Sequence, residues 1–234
     1  MDECTERCEE LLAEIGGRRP TVEAALVGTL AGLEAMRGNF DEARDLYARQ
    51  QSMHEDLGLP YSLAAATIMA GRIEMLAGEP AAAEAELRRG YVILERMGEL
   101  GVLSTLAAYL ADAVYAQGRY DEADRLTHVS EGAATSDDIA SHVWWRVTRA
   151  RVLARRGNHE EAERIGSEAL ALAEVTDDLV IRGRALTDLA EVRSLRESDG
   201  SVPLLEEALR LFEAKGDLVS AGRTRVALSA ASAG

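Results

Sequence analysis

The chain has 234 residues, 47% of them hydrophobic and 29% charged, enough for one large domain or two small ones with a sizeable core. An aromatic share of 4% beside 40 alanines and 30 leucines argues against a sandwich or barrel, and only four prolines leave room for long helices. Twenty-six basic residues against 41 acidic ones give a net charge of −15, which repels phosphate backbones and anionic lipid, so neither nucleic acid nor a membrane is an expected partner.

Met1 is followed by acidic residues rather than by a signal peptide, and no apolar run approaches the ~20 residues that span a bilayer, so a cytoplasmic location is expected. A leading helix is predicted near 3–16. It carries Cys4 and Cys8, four apart and on one face; with no other cysteine they read as two reduced thiols, not a disulfide framework or a zinc site.

From residue 20 the sequence repeats. The segments RGNFDEARDLY (37–47), AGEPAAAEAEL (77–87), QGRYDEADRLT (117–127) and RRGNHEEAERI (155–165) align on Gly38, Gly78, Gly118 and Gly157, spaced 40, 40 and 39 apart. Five residues after each glycine stands an alanine (Ala43, Ala83, Ala123, Ala162); seven before stands a small residue (Ala31, Gly71, Ala111, Ala150). The glycine supplies the positive φ that ends a helix. Acidic residues after it suit the N-terminus of the next helix, and the small residues let two antiparallel helices approach closely.

Between the glycines the apolar period is 3.6, as in Leu103, Leu106, Ala107, Leu110, Ala111 and Val114. Each repeat therefore reads as an A helix, a turn and a B helix. A helices are predicted at 20–37, 59–77, 100–117, 138–156 and 177–196, and B helices at 40–57, 80–97, 120–134, 159–175 and 202–215. A trailing helix near 218–232 makes twelve. In the fifth repeat, position 197 is Glu197 instead of glycine; RESDGSVP (196–203) predicts a looser connection, most mobile there and at the terminal ASAG. The expected organisation is a single domain, 1–234. A capping helix lies within 1–18, four well-formed repeats and the A helix of a fifth fill 20–196, and a degenerate B helix and a capping helix occupy 197–234.

A hairpin with small residue, glycine and alanine at these offsets resembles the tetratricopeptide repeat, with a period near 40 in place of the usual ~34. Tyr47 stands at that family's aromatic B-helix position, where the other repeats have Leu87, Thr127 and Gly166. The resemblance implies an all-α, right-handed α-solenoid of about five hairpins. More narrowly, the runs at 136–165, 169–195, 33–49 and 110–127 are similar to the C-terminal repeat regions of large actinobacterial signalling proteins, which join a cyclase or transcription-factor module to a signalling ATPase. No G-x-x-x-x-G-K-[ST] occurs here, so the ATPase chemistry of such relatives does not carry over.

Little else suggests chemistry. His54, His128, His142 and His159 lie in different repeats and read as surface or capping residues; HEDLG and HEEAE lack the second histidine of a metalloprotease. Asp137–Asp138 and Asp177–Asp178 read as helix caps. No nucleophile has a partner by spacing, and no metal or cofactor is expected.

In tetratricopeptide arrays the A helices line a concave surface, and ligands meet positions such as the one six before the turn glycine. Here that position holds Gly32, Arg72, Asp112, Arg151 and, counted from Glu197, Glu191. The alternating signs predict a ladder Arg72–Asp112–Arg151–Glu191, which either neutralises charge between neighbouring helices or forms a polar floor for a peptide or small ligand. Met75 and Tyr115, three before the glycine, and Trp144, thirteen before, flank it; Arg155 and Arg156 either extend a basic patch or interact with the C-terminus of their own helix. Arg184 shares Trp144's register. Trp144 and Trp145 point about 100° apart, so one is expected in the core and the other more exposed. On this reading, arginines gather on the A-helix face with only Asp112 and Glu191 among them. Exposed aromatic and methionine side chains beside them make a recognition surface.

The function expected is a non-catalytic protein-interaction scaffold, a regulatory or sensor region of a signalling or transcription-regulatory protein. The alternative is a sensor that closes a groove pocket on a small molecule or peptide. An enzyme finds no support beyond scattered carboxylates. Exposed first and last helices could also pair two chains into a homodimer.

Overall fold

The computed structural model describes residues 2–196 and 200–232. Among them are twelve α-helices and no strand: α1 Asp2–Ile15, α2 Pro20–Arg37, α3 Phe40–Asp56, α4 Pro60–Ala77, α5 Pro80–Met97, α6 Gly101–Ala116, α7 Tyr120–Ala133, α8 Ile139–Arg155, α9 His159–Glu174, α10 Leu179–Ser194, α11 Ser201–Lys215 and α12 Leu218–Ala231. Every predicted helix is present, with ends within two residues of expectation. The expected mobility of the fifth turn and the tail falls largely on residues 197–199 and 233–234, which lie outside the described residues.

The local reasons are those of the repeat. Gly38, Gly78, Gly118 and Gly157 have φ of 91°, 85°, 77° and 81°. In each the glycine N–H bonds three residues back and the next N–H five back, as in Gly38→Ala35 (3.1 Å) and Asn39→Glu34 (2.9 Å), which satisfies the last carbonyls of the A helix. The paired small residues Ala31, Ala43, Ala83, Ala111, Ala123, Ala150 and Ala162 are buried. Where glycine replaces alanine at Gly71, a neighbour fills the slot, since a Cβ there would lie 2.6 Å from Leu87 Cγ; at Gly166, which stands at the Tyr47 position, Leu189 fills the space, its Cδ1 2.8 Å from where a Cβ would be.

The chain forms two compact units, Met1–Glu99 and Leu100–Gly234. In the first, α2 pairs with α3 and α4 with α5, α4 lies beside α2, and α1 packs on α2. Ala31, Ala35, Ala43, Tyr47, Ala70 and Ile73 form its core. His54 is buried in this unit, contrary to a surface reading, and burial pushes its pKa down. In the second unit, hairpins α6–α7, α8–α9 and α10–α11 place α6, α8 and α10 side by side, and α12 packs on α11. No described helix is long and apolar enough to cross a membrane.

Candidate functional site

The three A helices of the second unit start in register. Asp138 Oδ1 accepts the Ser141 N–H at 3.0 Å, and Asp178 Oδ1 accepts those of Val180 (2.8 Å) and Ile181 (3.1 Å). These are the second residues of the two Asp-Asp doublets, acting as helix caps. Ser141 Oγ lies 3.0 Å from Ser104 Oγ and 2.8 Å from Thr105 Oγ1, pinning α8 to α6. With the starts aligned, the helices present equivalent positions at equal heights: Thr105, Trp144 and Arg184; Tyr109, Thr148 and Asp188; Asp112, Arg151 and Glu191.

These side chains meet. Arg151 Nη2 donates to Asp112 Oδ1 at 2.5 Å, and Arg151 Nη1 lies 3.7 Å from Glu191 Oε2 and 3.6 Å from Asp188 Oδ1. Arg184 reaches past α8 to hold both Asp112 oxygens, at 2.7 and 2.8 Å, while its Nε binds Asp188 Oδ2 at 2.8 Å. Tyr115 donates to Glu191 Oε1 at 2.6 Å, and Arg155 donates to Tyr115 Oη (3.1 Å) and to Glu191 Oε1 (2.8 Å). The Arg151 guanidinium stacks 4.4 Å from the Tyr115 ring centroid, and that of Arg184 lies 5.6 Å from Trp144, which packs on Tyr109 at 4.8 Å.

Three guanidinium groups thus face three carboxylates. Arg151 and Asp112 are nearly sealed, their side chains 6% and 4% exposed, whereas Arg184, Glu191 and Arg155 form the open edge at 28%, 29% and 39%. Burial alone would raise the Asp112 pKa, but Arg184 and Arg151 outweigh it and hold the carboxyl below its ordinary value. Glu191 is likewise lowered, burial being overcome by Arg151, Tyr115 and Arg155. At Asp188 burial wins over the two arginines, helped by the nearby Asp112 charge, and the pKa rises.

Within the second unit the geometry has the Asp112–Arg151 and Arg151–Glu191 rungs. Arg72 and Met75 lie half-buried on α4 of the first unit, where Met69 packs into the space at Gly32. Two expectations need correction. Both tryptophans are buried, Trp144 at 6% and Trp145 at 4%, as is Tyr115, so none is an exposed recognition side chain. Helices flank α8 on several sides, so two directions 100° apart are both covered. The face is also not basic: Asp188, which the register argument missed, balances the third arginine. Its signal was present as an Arg–Asp pair four apart, followed three residues later by Glu191 on the same helical face. Among the described residues no group of three or more His, Cys, Asp or Glu could hold a metal ion.

Residues 142–214 match the tetratricopeptide repeat family. No curated protein matches the chain. Among solved structures it is similar to BtubC (BKLC) from P. vanneervenii, at 15% identity and a TM-score of 0.63, over 92% of this chain and 89% of that one. A putative kinesin light chain from Podospora anserina with nearly identical tetratricopeptide-like repeats aligns at 19% identity and a TM-score of 0.54, over 84% and 97%. A signal transduction ATPase with numerous domains from Pyrococcus horikoshii, which has a tetratricopeptide repeat sensor, aligns at 17% and 0.56; 89% of this chain covers 32% of that protein. These likenesses establish the fold: an all-α array of tetratricopeptide-like hairpins.

Proposed function

We propose that this tetratricopeptide-like chain is a non-catalytic protein-interaction scaffold, serving as the regulatory or sensor region of a bacterial signalling or transcription-regulatory protein. The observation that carries this reading is the locked A-helix face of the second unit. A rigid surface binds a partner without first losing the conformational entropy of its own side chains. Asp112, Arg151, Tyr115 and Trp144 form the lock, and Arg184, Glu191 and Arg155 offer the partner its contacts at the open edge. Arg72 and Met75 give the first unit a contact surface of its own, with methionine adapting to an apolar side chain. No cofactor and no nucleic acid enter this reading.

The alternative, a closed small-molecule pocket at Tyr115, Trp144 and Arg151, has less support, because Tyr115 and Arg151 pack on each other and Trp144 lies against Tyr109 and Arg184. Affinity capture with the wild type and with an Arg155→Ala/Arg184→Ala variant tests the scaffold. Partners held by the wild type and lost by a folded variant support it. An identical set of partners on both removes this face from the function.

A further inference from the structure

The first and last helices are each half of a hairpin. Asp2-Glu3-Cys4 of α1 repeats Asp41-Glu42-Ala43 and Asp121-Glu122-Ala123, the start of a B helix. Its cysteine therefore stands at the small position that lies against the A helix. Ala43, Ala83, Ala123 and Ala162 are fully buried there, but Cys4 is exposed. Leu11 and Ile15, seven and eleven residues on, are half-buried, whereas their counterparts Ala169 and Ala173 in α9 are sealed. Cys8 and Leu12 hold α1 to α2, which leaves Cys4 on an open flank.

Helix α12 is the complementary half. Asp217-Leu218-Val219 and Gly222-Arg223 repeat Asp178-Leu179-Val180 and Gly183-Arg184 of α10, which makes α12 an A helix. At Gly183 the Phe212 ring of α11, the B helix of that hairpin, fills the place of a Cβ; at Gly222 a Cβ would meet nothing within 4 Å. Farther along, Ala190 is buried, whereas its counterpart Ser229 is exposed and Val226 is 72% exposed. The flank that α10 turns to its B helix is thus uncovered on α12.

We propose that α12 of one copy docks on α1 of a second copy, the two helices completing an A–B hairpin between molecules. Ser229 and Cys4 then take the places that Ala31 and Ala43 hold in the core of one copy. Ile15, near the end of its helix as Phe212 is, reaches the slot at Gly222. Charge selects this pairing. Helix α1 carries six acidic residues and a single arginine, Arg7, whereas α12 carries Arg223 and Arg225 and no acidic residue. Two α12 helices, or two α1 helices, would oppose like charges. The contact is heterologous, so copies associate head to tail and either close a ring or extend. These flanks are separate from the A-helix face, and the inference does not depend on the scaffold reading.

Sedimentation of the full chain from about 10 μM to about 1 mM should show the weight-average mass rising about twofold or more, and less at about 1 M salt, which screens the charges. Cys4→Arg blocks the small position on α1, and Val226→Glu sets an acid against the acidic helix; both sites are exposed, so helical circular dichroism should be unchanged. Each variant alone should stay monomeric. Mixed in equal amounts, the two should pair through the one intact contact. Mild oxidation of Ser229→Cys should link copies through Cys4, and adding Cys4→Ser should abolish the link. A wild type that stays monomeric at about 1 mM overturns the proposal. So does either variant dimerising alone, a mixture that stays monomeric while the wild type associates, or a disulfide formed within one chain.

Discussion

Arg151 and Asp112 share a 2.5 Å hydrogen bond almost out of contact with water, and Asp112 also holds Arg184 through both its oxygens. Removing one member of such a set leaves buried charge uncompensated, a loss of about 3–5 kcal/mol. Asp112→Asn should therefore lower the unfolding free energy obtained from urea denaturation by that order, with two guanidinium groups left facing a neutral amide. Glu191 lies at the open edge, and Glu191→Gln should lose about 1–2 kcal/mol at neutral pH, since Tyr115 and Arg155 keep an oxygen acceptor. Its pH dependence has a definite sign. The folded-state pKa of Glu191 is lowered, so its contribution is fully present above the unfolded carboxylate value of about 4.3 and disappears as pH falls through the folded value. Denaturation of wild type and Glu191→Gln in parallel should show a gap at pH 7 that closes toward pH 3. At this scale Asp112, Arg151 and Glu191 were legible in the register of the repeat. The reach of Arg184 across α8 was not, because it depends on three helices lying side by side.

A helix in this fold is shaped by what covers it, and two glycines isolate that effect. Gly183 in α10 and Gly222 in α12 occupy the same place, each five residues after the capping aspartates Asp178 and Asp217. A Cβ on Gly183 would lie 2.7 Å from the Phe212 ring of α11, whereas one on Gly222 would meet nothing within 4 Å. Gly222→Ala should raise the melting temperature, by the ~0.5–1 kcal/mol that glycine costs in a helix interior. Gly183→Ala should lower it, because overpacking of about 1–3 kcal/mol exceeds that gain. Calorimetry of the two variants would show opposite shifts from one chemical change. The helix boundaries themselves were readable because turn glycine, small residue and cap are local signals. The burial of both Trp144 and Trp145 was not, since a helix wheel assigns directions and does not say how many neighbours occupy them.

The whole molecule divides at Glu99–Leu100 into two compact units, and every ion pair of the A-helix cluster lies within the second. Residues 100–234 expressed alone should retain helical circular dichroism and unfold cooperatively in urea; a broad, uncooperative loss would show that the second unit depends on the first. The net charge of −15 also reads differently at this scale. Around the cluster, charges of both signs are matched one for one, so the acidity of the chain says little about the local field a partner would meet there.

The amino-acid sequence by itself determined the repeat, its forty-residue period, the twelve helices and, of the four-residue ladder it predicted from Arg72, the part Asp112–Arg151–Glu191. Each of these depends on spacing along one chain, and helical geometry converts spacing into direction. Only the tertiary structure decided which directions are buried, that Asp188 and Arg184 close the cluster into a neutral set, and that Cys4 of α1 and Gly222 of α12 stand on uncovered flanks. Those depend on distances between helices, which side-chain volume and desolvation set once the hairpins pack.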